Sequence, residues 1–312
     1  MPKISIITVL LNALSNPNGK ENLLQMFKSI HNQDYEDIEH IIIDGLSNDG
    51  TLEYVESITK EFAKKPVLIY SQKDTGIYNA MNKGINKAQG QFIAFMNADD
   101  YYLENDAISL LGKAIIDDSD ASFSFCATRA IDHNKFFDCK PSLDKAFFSS
   151  PFYHQALLCK KDLFEKYGLF DESLRVVADY DFITKIVKAS EKGIEVNKLL
   201  VCYRLQGFSA QNKSLAYDEF AKVIHKNCNN KKFSISDCRN IYCHKFTFIL
   251  LIKLKLFPFI LKNTAINYKL SNKLLFKSYS SLILTVIKNF FKFRFIIKPI
   301  EEFFKNKKLK RV

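Results

Sequence analysis

Residues 91–100 (QFIAFMNADD) constrain this chain most. After Gly90 a short apolar run, Phe92 to Met96, leads straight into Asn97, Ala98, Asp99 and Asp100. A short apolar run rich in Phe and Ile reads as a buried strand. An unpaired carboxylate is too costly to bury, so the strand must end at the acids. They then stand at its carboxyl end, where open α/β sheets bind their ligands. Taken alone the acids have two readings. They cap the next helix, or they hold a hard divalent cation that in turn holds phosphate oxygens.

The chain before this stretch alternates in the same way. Residues 4–11 are a dense, β-branched apolar run, followed by a turn cluster, 16–19 (NPNG). Leu23, Leu24, Phe27 and Ile30 then recur at helical spacing. Residues 39–45 form a second apolar run that closes on Asp44 and Gly45, and 47–51 carry turn and N-cap residues before a helix over 52–62. A third short strand is predicted over 67–70. Ile77, Ala80, Met81, Ile85 and Ala88 mark one face of a helix stopped by Gly90. Strand–helix alternation of this kind predicts an α/β fold with a mostly parallel sheet and right-handed crossovers. Those crossovers put the carboxyl ends of the strands on one edge. That edge gathers Thr8, Asn12, Asp44, Asp74, Asn97 and Asp99, a convergence that predicts a ligand crevice. Neither GxGxxG nor GxxxxGK[ST] occurs, so phosphates would be held through a metal rather than by a glycine nest.

These residues resemble family 2 glycosyltransferases with the GT-A fold. The resemblance rests on 6–9 (IITV) with Asn12, on 29–33 (SIHNQ) and on 43–51 (IDGLSNDGT). Residues 74–84 (DTGIYNAMNKG) resemble the colanic-acid-type branch, and 97–100 (NADD) stand where the family has its DxD metal motif. The likeness spans roughly residues 3–210 and implies roles. Asp44 would bond the uracil ring of a UDP-sugar. Thr8 and Asn12 would line the base and ribose pocket, with Asp74 on the same edge. Asn97 would lie by the ribose and diphosphate, and Asp99 would ligate Mn²⁺ or Mg²⁺. Asp179, in 177–182 (VADYDF), matches the catalytic base of the family's ED-type motif, Ala178 replacing the first acid. By position alone Asp179 also reads as a helix N-cap. Asn97 replaces the first acid of DxD, Leu11 stands where many relatives have an aromatic ring, and Asn79 replaces an acid of this branch.

The chemistry implied is inverting transfer, a single displacement at the anomeric carbon. It needs a base for the acceptor hydroxyl and a metal for the nucleoside diphosphate that leaves. His154 has two readings, a satisfied structural residue or a group on the acceptor side. Residues 206–209 (QGFS) read as an ordinary Gly turn or, by resemblance, as the family's post-core segment that closes over the diphosphate. The chain has no Trp and so lacks the QxxRW motif of processive members, which predicts one sugar added per encounter.

Composition separates the two ends of the chain. Of the net charge of +11, residues 241–312 contribute +14, with sixteen Lys and Arg against Glu301 and Glu302. The division expected is a catalytic domain over 1–215 and a basic helical region over 216–312. In that region 249–257 and 282–297 read either as amphipathic helices on an anionic membrane surface or as helices packed on the catalytic domain. Charge alone also fits nucleic acid, but no binding motif accompanies it, and none is expected as a partner. Seven scattered cysteines, the missing signal-peptide pattern and the lack of a long uncharged apolar stretch predict a cytoplasmic chain, or one peripheral at the inner face of the membrane. The partners expected are a nucleotide-sugar and a saccharide or lipid-linked acceptor in surface-polysaccharide assembly. Two rival classes are a nucleotidyltransferase, which wants a Gly-rich basic loop that 11–15 (LNALS) does not supply, and a non-catalytic membrane-surface protein.

Overall fold

A computed structural model describes residues 1–133, 135–147, 149–205, 207–228 and 234–242. The chain divides into two compact units. One comprises Met1–Ala146 and Ser150–Glu219, and the other takes in Phe147–Ser149 and the chain from Phe220 on. Stretches 249–257 and 282–297 and the side chain of Gln206 lie outside the described residues.

In the first unit the alternation is as expected: β1 (Ile4–Leu10), α1 (Gly19–His31), β2 (Ile38–Asp44), α2 (Thr51–Phe62), β3 (Val67–Ser71), α3 (Ile77–Lys87) and β4 (Phe92–Phe95). These strands lie in the order β3-β2-β1-β4, all parallel. Then follow β5 (Tyr101–Tyr102), α4 (Ala107–Ile116), β6 (Ala121–Asp132), β7 (Lys135–Cys139), β8 (Leu157–Lys160), α5 (Asp162–Tyr167), α6 (Ala178–Lys188) and β9 (Lys192–Arg204). They extend the sheet as β8-β6-β9-β5 and make it mixed, since β8 runs antiparallel to both β4 and β6. β7 turns back on β6 as a hairpin. Two further helices, α7 (Phe208–Gln211) and α8 (Lys213–Cys228), follow β9. Among the described residues no helix is long and apolar enough to cross a membrane.

The helices cover the sheet because their apolar faces need burial. Leu23, Met26, Phe27 and Ile30 of α1 pack with Ile4, Ile6, Ile38 and Ile42 in one core. Every residue of β2 is buried, including Glu39, His40 and Asp44. A strand covered on both faces has no solvated side, so these polar groups need internal partners. Glu39 Oε1 accepts from the Ser5 hydroxyl at 2.5 Å and from the Gln89 and Gly90 N–H groups at 2.6 and 3.2 Å. Gly90 has to be glycine, since a Cβ there would lie 2.6 Å from Ser5 N.

His40 belongs to a chain of buried bonds whose pattern assigns the proton positions. His31 Nδ1 accepts from the Lys64 and Lys65 N–H groups, both at 3.2 Å. Its Nε2 must therefore carry the hydrogen and donate to His40 Nδ1 at 3.3 Å. His40 Nε2–H then donates to Thr8 Oγ1 at 2.9 Å, and the Thr8 hydroxyl points at Met26 Sδ, 3.7 Å away. Both rings are held neutral by burial. His31 is lowered to about 4, also by the nearby Lys65 and Lys64, and His40 falls well below the ordinary histidine value.

Protonation of either ring breaks the chain, and the unfolded state takes up protons first. Stability is therefore undiminished above about pH 6.5 and falls as pH drops toward about 4. Melting temperatures measured across this window should decline in the wild type and decline less in a His31→Leu/His40→Met variant. Equal slopes in the two proteins would contradict this reading.

Candidate active site at the carboxyl edge of the sheet

β4 ends at Phe95, and 97–100 turn across the edge of the sheet with Asp100 N–H bonded to Asn97 O at 3.2 Å. The two acids part company here. Asp100 is wholly buried, whereas Asp99 is half-buried. The Asp100 carboxylate receives Gln155 Nε2 at 2.5 Å and the Arg204 N–H at 2.9 Å. Burial pushes both carboxyls up. For Asp100 the neighbouring Asp99 adds to the rise, and the Arg204 guanidinium opposes it for both. That guanidinium lies over the Tyr101 ring at 5.4 Å and donates to Asn22 and Gln25 of α1.

Gln155 belongs to a 3-10 turn, His154–Ala156, that leads into β8. Its neighbour His154 bonds Asp179 through Nδ1 at 2.9 Å. Asp179 lies in the first turn of α6, where the helix dipole favours a carboxylate. Its other oxygen receives the Tyr78 hydroxyl at 2.8 Å, which also reaches Val176 O at 2.8 Å. Burial alone would raise the Asp179 carboxyl, but His154, through its hydrogen bond and its charge, and the hydrogen bond from Tyr78 outweigh it, and the group sits below the ordinary carboxylate value. From α8, Glu219 accepts the Arg175 and Val176 N–H groups at 2.8 Å each and pins the segment that leads to Asp179. Tyr203, near the end of β9, bonds the Ser209 hydroxyl at 3.2 Å. Burial raises its phenol to about 12, and the charges of Asp100, Asp179 and Asp99 all add to that rise. Its ring stacks on Tyr153, centroids 4.5 Å apart.

The remaining predicted residues sit around the ends of β1, β2 and β3. Asn12, in the left-handed region at φ 49°, accepts from Asn48 N–H through Oδ1 at 2.9 Å, and its own N–H donates to Ser47 Oγ at 2.8 Å. Asp74 accepts the Gly76 N–H at 3.0 Å, and its carboxylate reaches Gly45, where a Cβ would lie 2.4 Å from Oδ2. Thr8 and Asp44 are the two most enclosed of these residues. Thr8 is wholly buried against His40. Asp44 is wholly buried as well, its oxygens taken by the Ser71 hydroxyl at 2.6 Å and the Ser47 N–H at 3.2 Å. The reason is the two-sided cover of β1 and β2. Leu11 and Leu46 are instead the exposed side chains beside Asn12 and Asp44.

Among the described residues no three His, Cys, Asp or Glu side chains gather as a metal-holding group. The acid turn nevertheless fits a hard cation. Asp99 offers a carboxylate, and Asn97 Oδ1 is a buried acceptor with no hydrogen-bond donor. Mg²⁺-like ions take one or two such protein oxygens and complete their shell with phosphates and water.

A family model described as Glycosyl transferase family 2 matches residues 5–165, more than half of the chain. The chain belongs to that family. A PGL/p-HBAD biosynthesis glycosyltransferase of Mycobacterium tuberculosis is 28% identical over 181 residues, 58% of this chain and 68% of that protein. An uncharacterized glycosyltransferase of Rickettsia typhi is 29% identical over 215 residues, 64% of each chain. Among solved structures, mannosyltransferase PcManGT from Pyrobaculum calidifontis, in complex with GDP-Man and Mn²⁺, aligns with TM-score 0.58 at 17% identity over 93% of this chain and 88% of that one. S. aureus TarS 1–349 in complex with UDP-GlcNAc aligns with TM-score 0.55 at 15% identity, covering 91% and 89%. The family 2 glycosyltransferase described here thus has the α/β GT-A fold. Asp99 and Asp100 lie in the turn after β4 and Asp179 in the first turn of α6, and the adjacent Gln155 and His154 bond Asp100 and Asp179.

Sequence reasoning assigned nothing to Tyr78, Gln155, Tyr203, Arg204 or Glu219. Tyr78 does lie inside 74–84, one of the motifs quoted for the resemblance, which is a usable signal. Removing Gln155 tests the buried link. Gln155→Leu leaves Asp100 short of a donor and should lower the unfolding free energy in urea by about 1–3 kcal/mol. An unchanged midpoint would contradict the contact.

Proposed function

We propose that this chain is a metal-dependent, inverting glycosyltransferase of the colanic-acid-type branch. It moves one hexose from a UDP-linked donor to a saccharide or lipid-linked saccharide acceptor in surface-polysaccharide assembly. The observation that supports the reading is that adjacent residues of one short turn bond the two acid segments, His154 to Asp179 and Gln155 to Asp100, the neighbour of Asp99. Asp99, with Asn97 Oδ1, would hold Mn²⁺ or Mg²⁺. When bound, the cation supplies charge for the departing diphosphate. Asn12 and Asp74 face the nucleotide side, and Asp44 and Thr8 support it from beneath by fixing 45–48 and β1. Asp179 supplies the basicity that draws off the acceptor's proton, and the Tyr78 hydroxyl keeps it oriented.

The domain division proposed is a catalytic domain over 1–215 and a basic region over 216–312 that meets an anionic membrane surface at the cytoplasmic face. The charge of residues 241–312 supports it. Co-sedimentation of the full chain with vesicles rich in phosphatidylglycerol should be strong at low salt and fall as salt rises. Equal binding to neutral vesicles would contradict it.

Release of UDP from UDP-glucose, UDP-galactose and UDP-GlcNAc tests the enzymatic reading. Activity should require a divalent cation and vanish with EDTA. Asp179→Ala should lower kcat by about 10²–10⁴-fold. Asp99→Ala should lose the response to Mn²⁺. Full activity in either variant would remove the role given to that residue.

A further inference from the structure

Resting on the glycosyl-transfer reading, we propose that Arg175 and Phe208 form an anion subsite beside Asp179, built for an acceptor that carries a phosphate or carboxylate group. Both side chains are exposed, Phe208 at 45%. The Arg175 guanidinium lies over the Phe208 ring, 5.9 Å from its centroid. Such a contact steadies the cation without using its N–H groups. Among the described residues the guanidinium forms no ion pair. An exposed arginine without a carboxylate partner keeps its fork of N–H donors for a ligand. Phosphate and carboxylate oxygens match that fork two at a time.

Two routes through the fold place this pair near Asp179. On the first, Val176 O and Asp179 Oδ1 both accept from the Tyr78 hydroxyl at 2.8 Å, so the residue before Val176 stands close to the base. On the second, the Tyr203 and Ser209 hydroxyls meet at 3.2 Å, Tyr203 stacks on Tyr153, and the next residue, His154, bonds Asp179 at 2.9 Å. Phe208 directly precedes Ser209. The routes start from different segments, one before α6 and one after β9, and end at the same carboxylate. The segment under Arg175 is fixed as well. Glu219, buried in α8, accepts the Arg175 and Val176 N–H groups, and Glu172 accepts from Asn79 and Asn82 of α3 at 2.9 Å each. These two acids are thus met by neutral N–H donors, and neither closes a salt bridge with the guanidinium. A ligand that binds Arg175 does not have to order the loop that carries it.

The subsite holds and orients, and takes no part in bond making. An acceptor whose anionic group lies a short way from its reacting hydroxyl would be held by Arg175 while that hydroxyl meets Asp179. Two kinds of saccharide carry such a group: one joined to a lipid through a diphosphate, and one that contains a uronic acid. Both present paired anionic oxygens to the same fork.

The test is calorimetric titration of the full chain, in saturating UDP and Mn²⁺, with octyl glucoside, octyl glucuronide and octyl-diphosphoryl-glucose. The wild type should bind at least one of the two anionic probes about tenfold or more tighter than octyl glucoside, the fold-change of one charge-assisted hydrogen bond. Preference for the diphosphate marks a lipid-linked acceptor, and preference for the glucuronide marks an acidic saccharide. Arg175→Gln should bring the anionic probes to within about twofold of the neutral one. Arg175→Glu should bind them more weakly than the neutral one. Equal affinity for all three probes in the wild type would overturn the proposal. An anion preference that persists in Arg175→Gln would overturn it as well and assign the preference to the basic residues 241–312. The titration needs no turnover, so the two readings fail separately. A chain that shows the Arg175-dependent preference but releases UDP from no donor would overturn glycosyl transfer and leave the anion subsite standing.

Discussion

A buried carboxylate must be met by donors, and the carboxyl edge of this sheet is built around that requirement. Asp100 lies out of reach of water, so Gln155 and the Arg204 backbone come to it from the turn before β8 and from the end of β9. Those two contacts position everything else at the edge. Gln155 brings His154 with it. Arg204 brings Tyr203, whose ring stacks on Tyr153 and feels all three neighbouring acids. Asp99 is left half-buried, and the proposed role of facing a ligand falls to it because its neighbour takes the structural one.

The same logic runs along β1 and β2. Both faces of those strands are covered, so Glu39, His40 and Asp44 are each satisfied internally. The His31–His40–Thr8 chain and the Glu39 cluster secure the sheet beneath the site. Asp44 secures the 45–48 turn, and Asn12 holds the same turn from the β1 side through Asn48. The carboxyl edge therefore stands on strands whose buried polar groups are paired internally.

Much of this was legible from sequence. Hydrophobic runs and helical spacing located β1 to β4 and α1 to α3, and the right-handed crossover rule placed the acids on one edge. Periodicity could not show that β1 and β2 are covered on both sides. That is why the complete burial of Thr8 and Asp44 was not foreseen. The second half of the sheet was not legible either. Its order brings β6 between β8 and β9, and that pairing depends on contacts remote in the chain, as between Asp100 and Arg204, 104 residues apart. Asp179 was singled out by its motif, while its partners Tyr78 and His154 stand 101 and 25 residues away. No local pattern reveals that the three side chains meet.

The central claim is that a cation-holding acid, Asp99, and a proton-accepting acid, Asp179, face one crevice. A crystal of the full chain grown with UDP and Mn²⁺, with anomalous data collected at the manganese edge, tests it most directly. The account predicts an anomalous peak at coordination distance from the Asp99 carboxylate, with the diphosphate on its far side and Asp179 across the open space beyond. A manganese peak away from Asp99, or a diphosphate bound where protein fills the space between it and Asp179, would contradict it.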